Sequence, residues 1–203
     1  VTNPPIDPFR EKVVMSLQCP IGPEANILQP SAKQVHRLWL KQPVISIMDF
    51  EVLKHTKHRG WSSYVIDTTF PTSEGAAGLV PKLQFICEEA EKASNKNQIL
   101  ILSDRAVGPD HVPISSLLVL GAVHHHLIET RNRMKVALVV ESGEIREVHH
   151  ICVLLGYGAD AICPYLALEL ASSMRDQGII DCNYTDDMIF NNYAQAMQTG
   201  ISK

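Results

Sequence analysis

Polar side chains directly follow two apolar runs near the middle of the chain, at residues 98–102 and 136–140. In chain order, the polar residues are Ser103, Asp104, Arg105, Glu141 and Glu144. Short runs that are apolar at every position are typical of parallel strands buried on both faces. Chemistry in such sheets usually lies just past the carboxyl ends of the strands. In an independent enzyme these groups would be the first candidates for acid, base and anion-binding roles.

The same residues also have a structural interpretation, which the sequence leaves open. Asp104 and Arg105 would pair with each other at a corner of the chain. Glu144 would lie in the first turn of a helix, where a negative charge is favourable because of the helix dipole. Neither role requires a ligand.

Two histidine clusters, 124–126 and 149–150, raise the question of a metal site. Consecutive residues of a helix point in different directions, and helical metal ligands are usually three or four residues apart. Helical periodicity predicts that His125 and His149 both face inward from neighbouring helices. A buried, neutral, hydrogen-bonded histidine fits this pattern better than a metal ligand does.

A third apolar run, at 160–163, follows the other two, and the segments between the runs have the length and period of helices. This alternation predicts an α/β fold with a largely parallel sheet, flanking helices and incomplete or barrel-related βα repeats. Caps or first positions of helices are predicted at Ser73, Pro113, Ser142 and Thr185. Residues 1–30 contain six prolines and predict an extended arm around one short helix that begins near Pro8. Residues 31–203 then form a single domain.

The composition excludes several classes of function. A formal net charge of -4 without a basic block argues against nucleic acid or an anionic membrane as the main partner. The five widely spaced cysteines predict reduced thiols in an intracellular compartment. No dinucleotide or phosphate loop, serine or cysteine nucleophile motif, or iron–sulfur pattern is present. The chain begins without methionine and ends soon after a helical stretch, and we expect it to be a piece of a longer polypeptide.

Several long segments resemble the central domain of glutamate synthase, of the ferredoxin- or NAD(P)H-dependent kind. The matching segments are 2–11, 22–24, 99–105, 121–127, 139–150 and 156–161. The resemblance covers nearly the whole chain and is weakest at 51–95. The residue after Ala25 also departs from the family pattern, because Asn26 stands there.

The resemblance implies a role between two active sites that lie outside this chain. In the parent enzyme, a glutaminase domain releases ammonia, which travels through an internal tunnel to a flavin domain. There FMN reduces the imine formed with 2-oxoglutarate, and an iron–sulfur cluster supplies electrons. The resemblance implies that this chain alone holds no cofactor and is inactive, and that the parent is cytoplasmic or plastid. It also makes domain contacts the expected role of the strand-end residues.

Three functions follow as hypotheses. The first is a connecting domain that forms part of the ammonia path, with Thr2, Asn3, Glu24 and Asn26 as tunnel or inter-domain contacts. The second is an independent barrel-like enzyme that acts through Asp104, Glu141, Arg146 and His149. The third is a binding module for another subunit.

Overall fold

The structure, a computed structural model, describes residues 13–203. The strands are β1 (Cys19–Ile21), β2 (Leu38–Leu40), β3 (Ser63–Asp67), β4 (Thr69–Pro71), β5 (Ile99–Ser103), β6 (His111–Pro113), β7 (Ala137–Glu141) and β8 (Ala161–Cys163). The α-helices whose bounds both lie in this range are α1 (Ile47–Lys54), α2 (Gly75–Ser94), α3 (Ser116–Glu129), α4 (Val148–Gly156), α5 (Tyr165–Asp176) and α6 (Asp186–Ile201).

A four-stranded parallel sheet in the order β3-β5-β7-β8 forms the centre of the molecule. The sheet continues beyond β8 as a parallel bridge between Val44 and Ile162. Hydrogen bonds of 2.8 Å from Ile45 N to Ile162 O and from Ile162 N to Pro43 O hold this edge. The prediction of a parallel sheet with flanking helices is confirmed. The strand order is linear, so within 13–203 the sheet does not close into a barrel.

Both faces of the sheet are covered, which explains why its strands are apolar at every position. On one face, Leu100 and Leu138 belong to a core with α2, α3 and α4. On the other face, Ile101 and Val139 pack in a second cluster that includes Phe50 of α1. Successive side chains of a strand point to opposite faces, so every position needs an apolar partner.

Several predicted helix features are confirmed. In α2, Ile86 and Ala90 are buried, as the apolar stripe indicates, and the helix ends at Ser94. The side chain of Thr185 accepts a hydrogen bond of 3.2 Å from Met188 N and caps α6.

Three predicted helix starts are wrong. Ser73 does not cap α2, because it lies within a 3-10 turn at Thr72–Glu74 and α2 begins only at Gly75. Pro113 ends β6, and α3 begins only at Ser116. The helix predicted to follow Ser142 begins at Val148, because Ser142 and Gly143 bind the Asp104 side chain and remain in a turn.

The prediction that His125 and His149 face inward is also wrong. His125, His149 and Cys152 are exposed, whereas Val123 and Ile151 are buried. The helices are apolar over much of their circumference, so the sequence period alone did not fix which side meets the sheet.

The predicted N-terminal arm is only partly described. Val13 and Val14 are helical, and the start of the predicted helix at Pro8 lies outside the described residues. Farther along, β1 pairs antiparallel with β2, so this part of 1–30 forms a small sheet with residues of the main domain.

Candidate functional site

The predicted strand-end residues lie together at the carboxyl edge of the sheet. In the strand register Ser103 is opposite Glu141, and Glu141 is opposite Cys163. Asp104 and Glu141 are almost completely buried, with 5% and 2% of their surface exposed. Buried carboxylates need compensating hydrogen bonds, so their partners determine what the site can do.

Glu141 is satisfied by the neighbouring strand end. The hydroxyl of Ser103 donates to its Oε2 at 2.5 Å. Arg105 Nε lies 3.9 Å from its Oε1. The carboxylate thus joins the ends of β5 and β7.

Asp104 is satisfied by the turn that follows β7. It accepts hydrogen bonds from Ser142 Oγ at 2.6 Å and from Gly143 N, which lies 3.1 Å from both carboxylate oxygens. Its own backbone N–H donates to Glu141 O at 3.2 Å. These contacts hold the turn after β7 against the turn after β5.

Arg105 points to carboxylates other than its neighbour Asp104. Its guanidinium lies 4.2 Å above the ring of Tyr165 and 2.7 Å from Glu169 Oε1. The predicted pairing of Asp104 with Arg105 is therefore replaced by pairs with Glu141 and Glu169. The cation connects the strand ends to α5.

Glu144 also has a different role from the one predicted. Its Oε2 accepts hydrogen bonds of 2.8 Å from both N and Oγ of Ser116. Ser116 is the first residue of α3, so the carboxylate satisfies a free amide at the amino end of that helix. The negative charge therefore lies at the amino end of a helix, as predicted, but this helix is α3 rather than the one that follows Glu144 in the chain.

Two potentially reactive groups next to this cluster are held in their protonated forms. Burial raises the pKa of the Cys163 thiol far above its usual value, and the Glu141 charge raises it further. Burial, and then the charge and hydrogen bond of Asp104, raise the pKa of the Tyr165 hydroxyl. Neither group is prepared to act as a nucleophile or base near neutral pH.

The four residues of the enzyme hypothesis do not form a catalytic group in the described part of the chain. Asp104 and Glu141 are buried and occupied by protein donors. Arg146 and His149 are exposed, and among the described contacts neither binds either carboxylate. The cluster is arranged to fix three strand-end segments to one another rather than to present free groups to a substrate.

The tunnel candidates can be examined only in part, because Thr2 and Asn3 lie outside the described residues. Glu24 is on the surface, where its Oε1 pairs with Arg37 at 2.8 Å and its backbone N–H donates to Met134 O at 2.7 Å. Asn26 is exposed, and its Oδ1 accepts from Leu28 N at 2.9 Å. Both residues fix the loop that follows β1.

A second polar cluster, at the amino edge of the sheet, was not predicted. Arg133 donates to His124 Nδ1 at 3.0 Å, to the Val136 and Gly158 carbonyls at 2.8 and 2.9 Å, and to Asp160 at 2.9 Å. The available signal was the position of Arg133 shortly before the second apolar run and of Asp160 at the start of the third.

No group of three or more His, Cys, Asp or Glu side chains among residues 13–203 is arranged to hold a metal ion. An iron–sulfur cluster does not fit the cysteines in this range, since Cys163 is buried in the core whereas Cys152 and Cys182 are exposed. None of the helices described here is long and apolar enough to cross a membrane.

Comparison with known proteins gives one consistent result. The sequence model of a family described as the glutamate synthase central domain matches residues 1–203. A glutamate synthase (NADH) of Schizosaccharomyces pombe is 45% identical over 206 residues. A glutamate synthase (NADPH) large chain of Bacillus subtilis is 40% identical over 204 residues. Each alignment covers 100% of this chain, but only 10% of the first protein and 13% of the second.

Proposed function

The chain belongs to the glutamate synthase central domain family, and from that premise we propose that it connects the glutaminase and FMN-binding domains of one longer polypeptide. The observation that carries the proposal is the family match over all 203 residues. The relatives are long enough for other domains, since this chain spans only about a tenth of their length. Glutamate biosynthesis from glutamine and 2-oxoglutarate would then be the activity of the whole polypeptide.

The strand-end cluster supports a scaffolding role within that polypeptide. Its two buried carboxylates bind protein donors at 2.5–3.1 Å, so they stabilise the carboxyl edge of the sheet. A rigid unit between two active sites would keep their separation constant. FMN and the iron–sulfur cluster would be bound by other domains of the parent, in the cytoplasm or a plastid; a ferredoxin-dependent relative of Arabidopsis thaliana is named as chloroplastic.

A contribution to the ammonia path is the finer part of the proposal. Ammonia must stay neutral to pass through an apolar passage, so the route has to exclude water that would protonate it. Thr2, Asn3, Glu24 and Asn26 are the candidates for contacts along this route or with the adjoining domains.

Isotope competition in the complete enzyme tests this path. Glutamine labelled with ¹⁵N in the amide would be supplied together with excess unlabelled ammonium. Channelled ammonia keeps the label in the newly formed glutamate. A bulky side chain in the passage, as in Asn3→Trp or Asn26→Trp, is expected to let the label be diluted while glutamine hydrolysis continues.

Lys92→Trp, on the exposed side of α2, serves as the matched control. Unchanged label retention in both asparagine variants would contradict their assignment to the path, without affecting the connector role. The connector role has a separate test. The isolated chain is expected to show no enzymatic turnover and to bind no flavin. Turnover or tightly bound flavin in that chain would refute it.

A further inference from the structure

A cleft with basic walls surrounds the indole of Trp61, on the face of the sheet that carries α1; we call it the Trp61 cleft. It has two adjoining lobes of about 270 and 480 Å³. His36, Arg59 and Trp61 line both lobes, and Lys33 and Gln98 line the larger one. Concave spaces of this size are suited to small molecules.

The charge near this cleft is opposite to that of the whole chain. Three basic residues line the cleft, Lys33, Arg37 and Arg59, although the net charge of the protein is -4. Glu24, the one acid on the cleft wall, is paired with Arg37 at 2.8 Å. Within 13–203, no carboxylate forms an ion pair with Lys33 or Arg59. The cleft therefore holds positive charge without a counter-ion from the described part of the chain.

The backbone at the centre of the cleft is strained. Arg59 has φ 53° and ψ 30°, the left-handed region that side chains other than glycine rarely adopt. Such residues cluster at ligand clamps and active sites, where the surrounding structure enforces them. The strained backbone and the unpaired positive charge are separate observations, and both are found at Arg59.

The remaining walls are fixed by local packing and hydrogen bonds. A Cβ atom at Gly22, which has φ +122°, would lie only 2.2 Å from Trp61 Cη2, so the indole is held against bare backbone. The rings of His36 and Trp61 are 5.5 Å apart. Gln98 accepts a hydrogen bond from Ser62 N through its Oε1 at 2.9 Å, which leaves its amide NH₂ group as a donor.

We propose that the Trp61 cleft binds a small polyvalent anion of the carboxylate or phosphate class. Arg59 and Lys33 supply the charge, and His36 and Gln98 supply further hydrogen-bond donors. Arg37 is not a ligand, because Glu24 and the Pro20 carbonyl already occupy its guanidinium at 2.8 and 2.9 Å. The proposal does not rest on the role in glutamate synthase.

Calorimetric titration of the complete polypeptide with citrate and with inorganic phosphate tests the proposal. The key variant is Arg59→Gly, because glycine adopts a φ of +53° without strain and the fold should therefore be preserved. Arg131→Gly is the matched control, since Arg131 also has a positive φ of 59° but lies after α3 and outside the cleft. Both variants lose one positive charge and relieve the same kind of backbone strain.

We expect binding of at least one anion to weaken by about ten-fold or more in Arg59→Gly and in Lys33→Gln, as the loss of a charge-assisted hydrogen bond predicts. Arg131→Gly should bind as the unchanged protein does. Comparison of the citrate and phosphate titrations shows whether the cleft prefers a carboxylate or a phosphate ligand. The proposal would be overturned if the unchanged protein bound neither anion, or if Arg59→Gly and Arg131→Gly changed the anion affinity equally. Tighter binding of a poly-glutamate peptide than of either small anion would also overturn it.

Discussion

At the scale of single residues, the polar groups at both edges of the sheet connect segments of the chain. Asp104 holds the turn after β7, and Arg133 holds the residues just before β7 and β8. Sequence reasoning found the first of these clusters because polar residues after buried strands are informative. It missed the second, since the position of Arg133 before an apolar run does not show which distant groups the arginine binds.

Replacement of Asp104 by alanine should destabilise the fold by about 2–4 kcal/mol, because Ser142 Oγ and Gly143 N lose a charged acceptor in a buried site. The free energy of unfolding in urea is the measurement. Asp110→Ala, at an exposed turn residue, is the control and should change this free energy by less than about 0.5 kcal/mol. Equal effects in the two variants would show that the strand-end hydrogen bonds do not stabilise the protein.

The pH dependence of stability should reveal the environment of His124, which is partly buried and in contact with Arg133. Partial burial, then the Arg133 and His125 charges, lower the pKa of His124, while Asp160 opposes them. The folded protein therefore binds a proton at His124 less readily than the unfolded chain does. This contribution to stability is present above the unfolded pKa of 6.5 and is lost as pH falls below it.

Urea unfolding at several pH values between 5 and 7.5 measures this effect. His124→Gln retains a polar side chain but cannot titrate, so its stability should decline less over the same interval. His55→Gln, at a largely exposed histidine beside Glu51, is the control. If the two variants and the unchanged protein had the same pH profile, protonation of His124 would not contribute to the pH dependence of stability.

At the scale of elements, the rotation of each helix is set by its contacts with the sheet and with neighbouring helices. The apolar residues of α3 and α4 allowed more than one inward face, and the prediction wrongly placed His125 and His149 on it. Helices α6 and α4 approach each other so closely at Gly200 that only glycine fits there. A Cβ at this position would lie 2.4 Å from Val148 Cγ2. The glycine thus determines how near the two helices approach.

Gly200→Ala should lower the free energy of unfolding by about 1–3 kcal/mol, since the helices must separate or Val148 must move. Gly156→Ala is the matched control at the end of α4, where an added Cβ meets nothing within 4 Å. There alanine should be neutral or stabilise by up to about 1 kcal/mol through its higher helix propensity. Thermal unfolding of the two variants gives the comparison; a stabilising effect at Gly200 would contradict the packing argument.

At the scale of the whole molecule, large apolar side chains are exposed around the loop between β1 and β2. Ile27, Leu28, Val35 and Trp39 have 82, 84, 80 and 65% of their surface accessible. Groups of exposed apolar residues typically mark sites of protein–protein contact. Neighbouring domains of the proposed parent polypeptide would cover this surface.

Thiol labelling in the complete polypeptide tests whether the surface is covered. In the variant Leu28→Cys, the introduced thiol should react with a maleimide more slowly than in Val80→Cys, on the exposed side of α2. Peptide mass spectrometry separates the introduced sites from the naturally exposed Cys152 and Cys182. Equal labelling rates at the two positions would show that no other domain covers the loop after β1.

The sequence by itself determined the α/β class, the three consecutive parallel strands, the Thr185 cap and the family. These features depend on local composition, on residue order and on long matching segments. The tertiary structure decided which faces of α3 and α4 are buried and which partners Arg105, Glu144 and Arg133 bind. It also brought Lys33 and Arg59 to one cleft, 26 positions apart in the chain. Contacts of this kind join residues distant in sequence, and their geometry depends on how whole helices and strands pack.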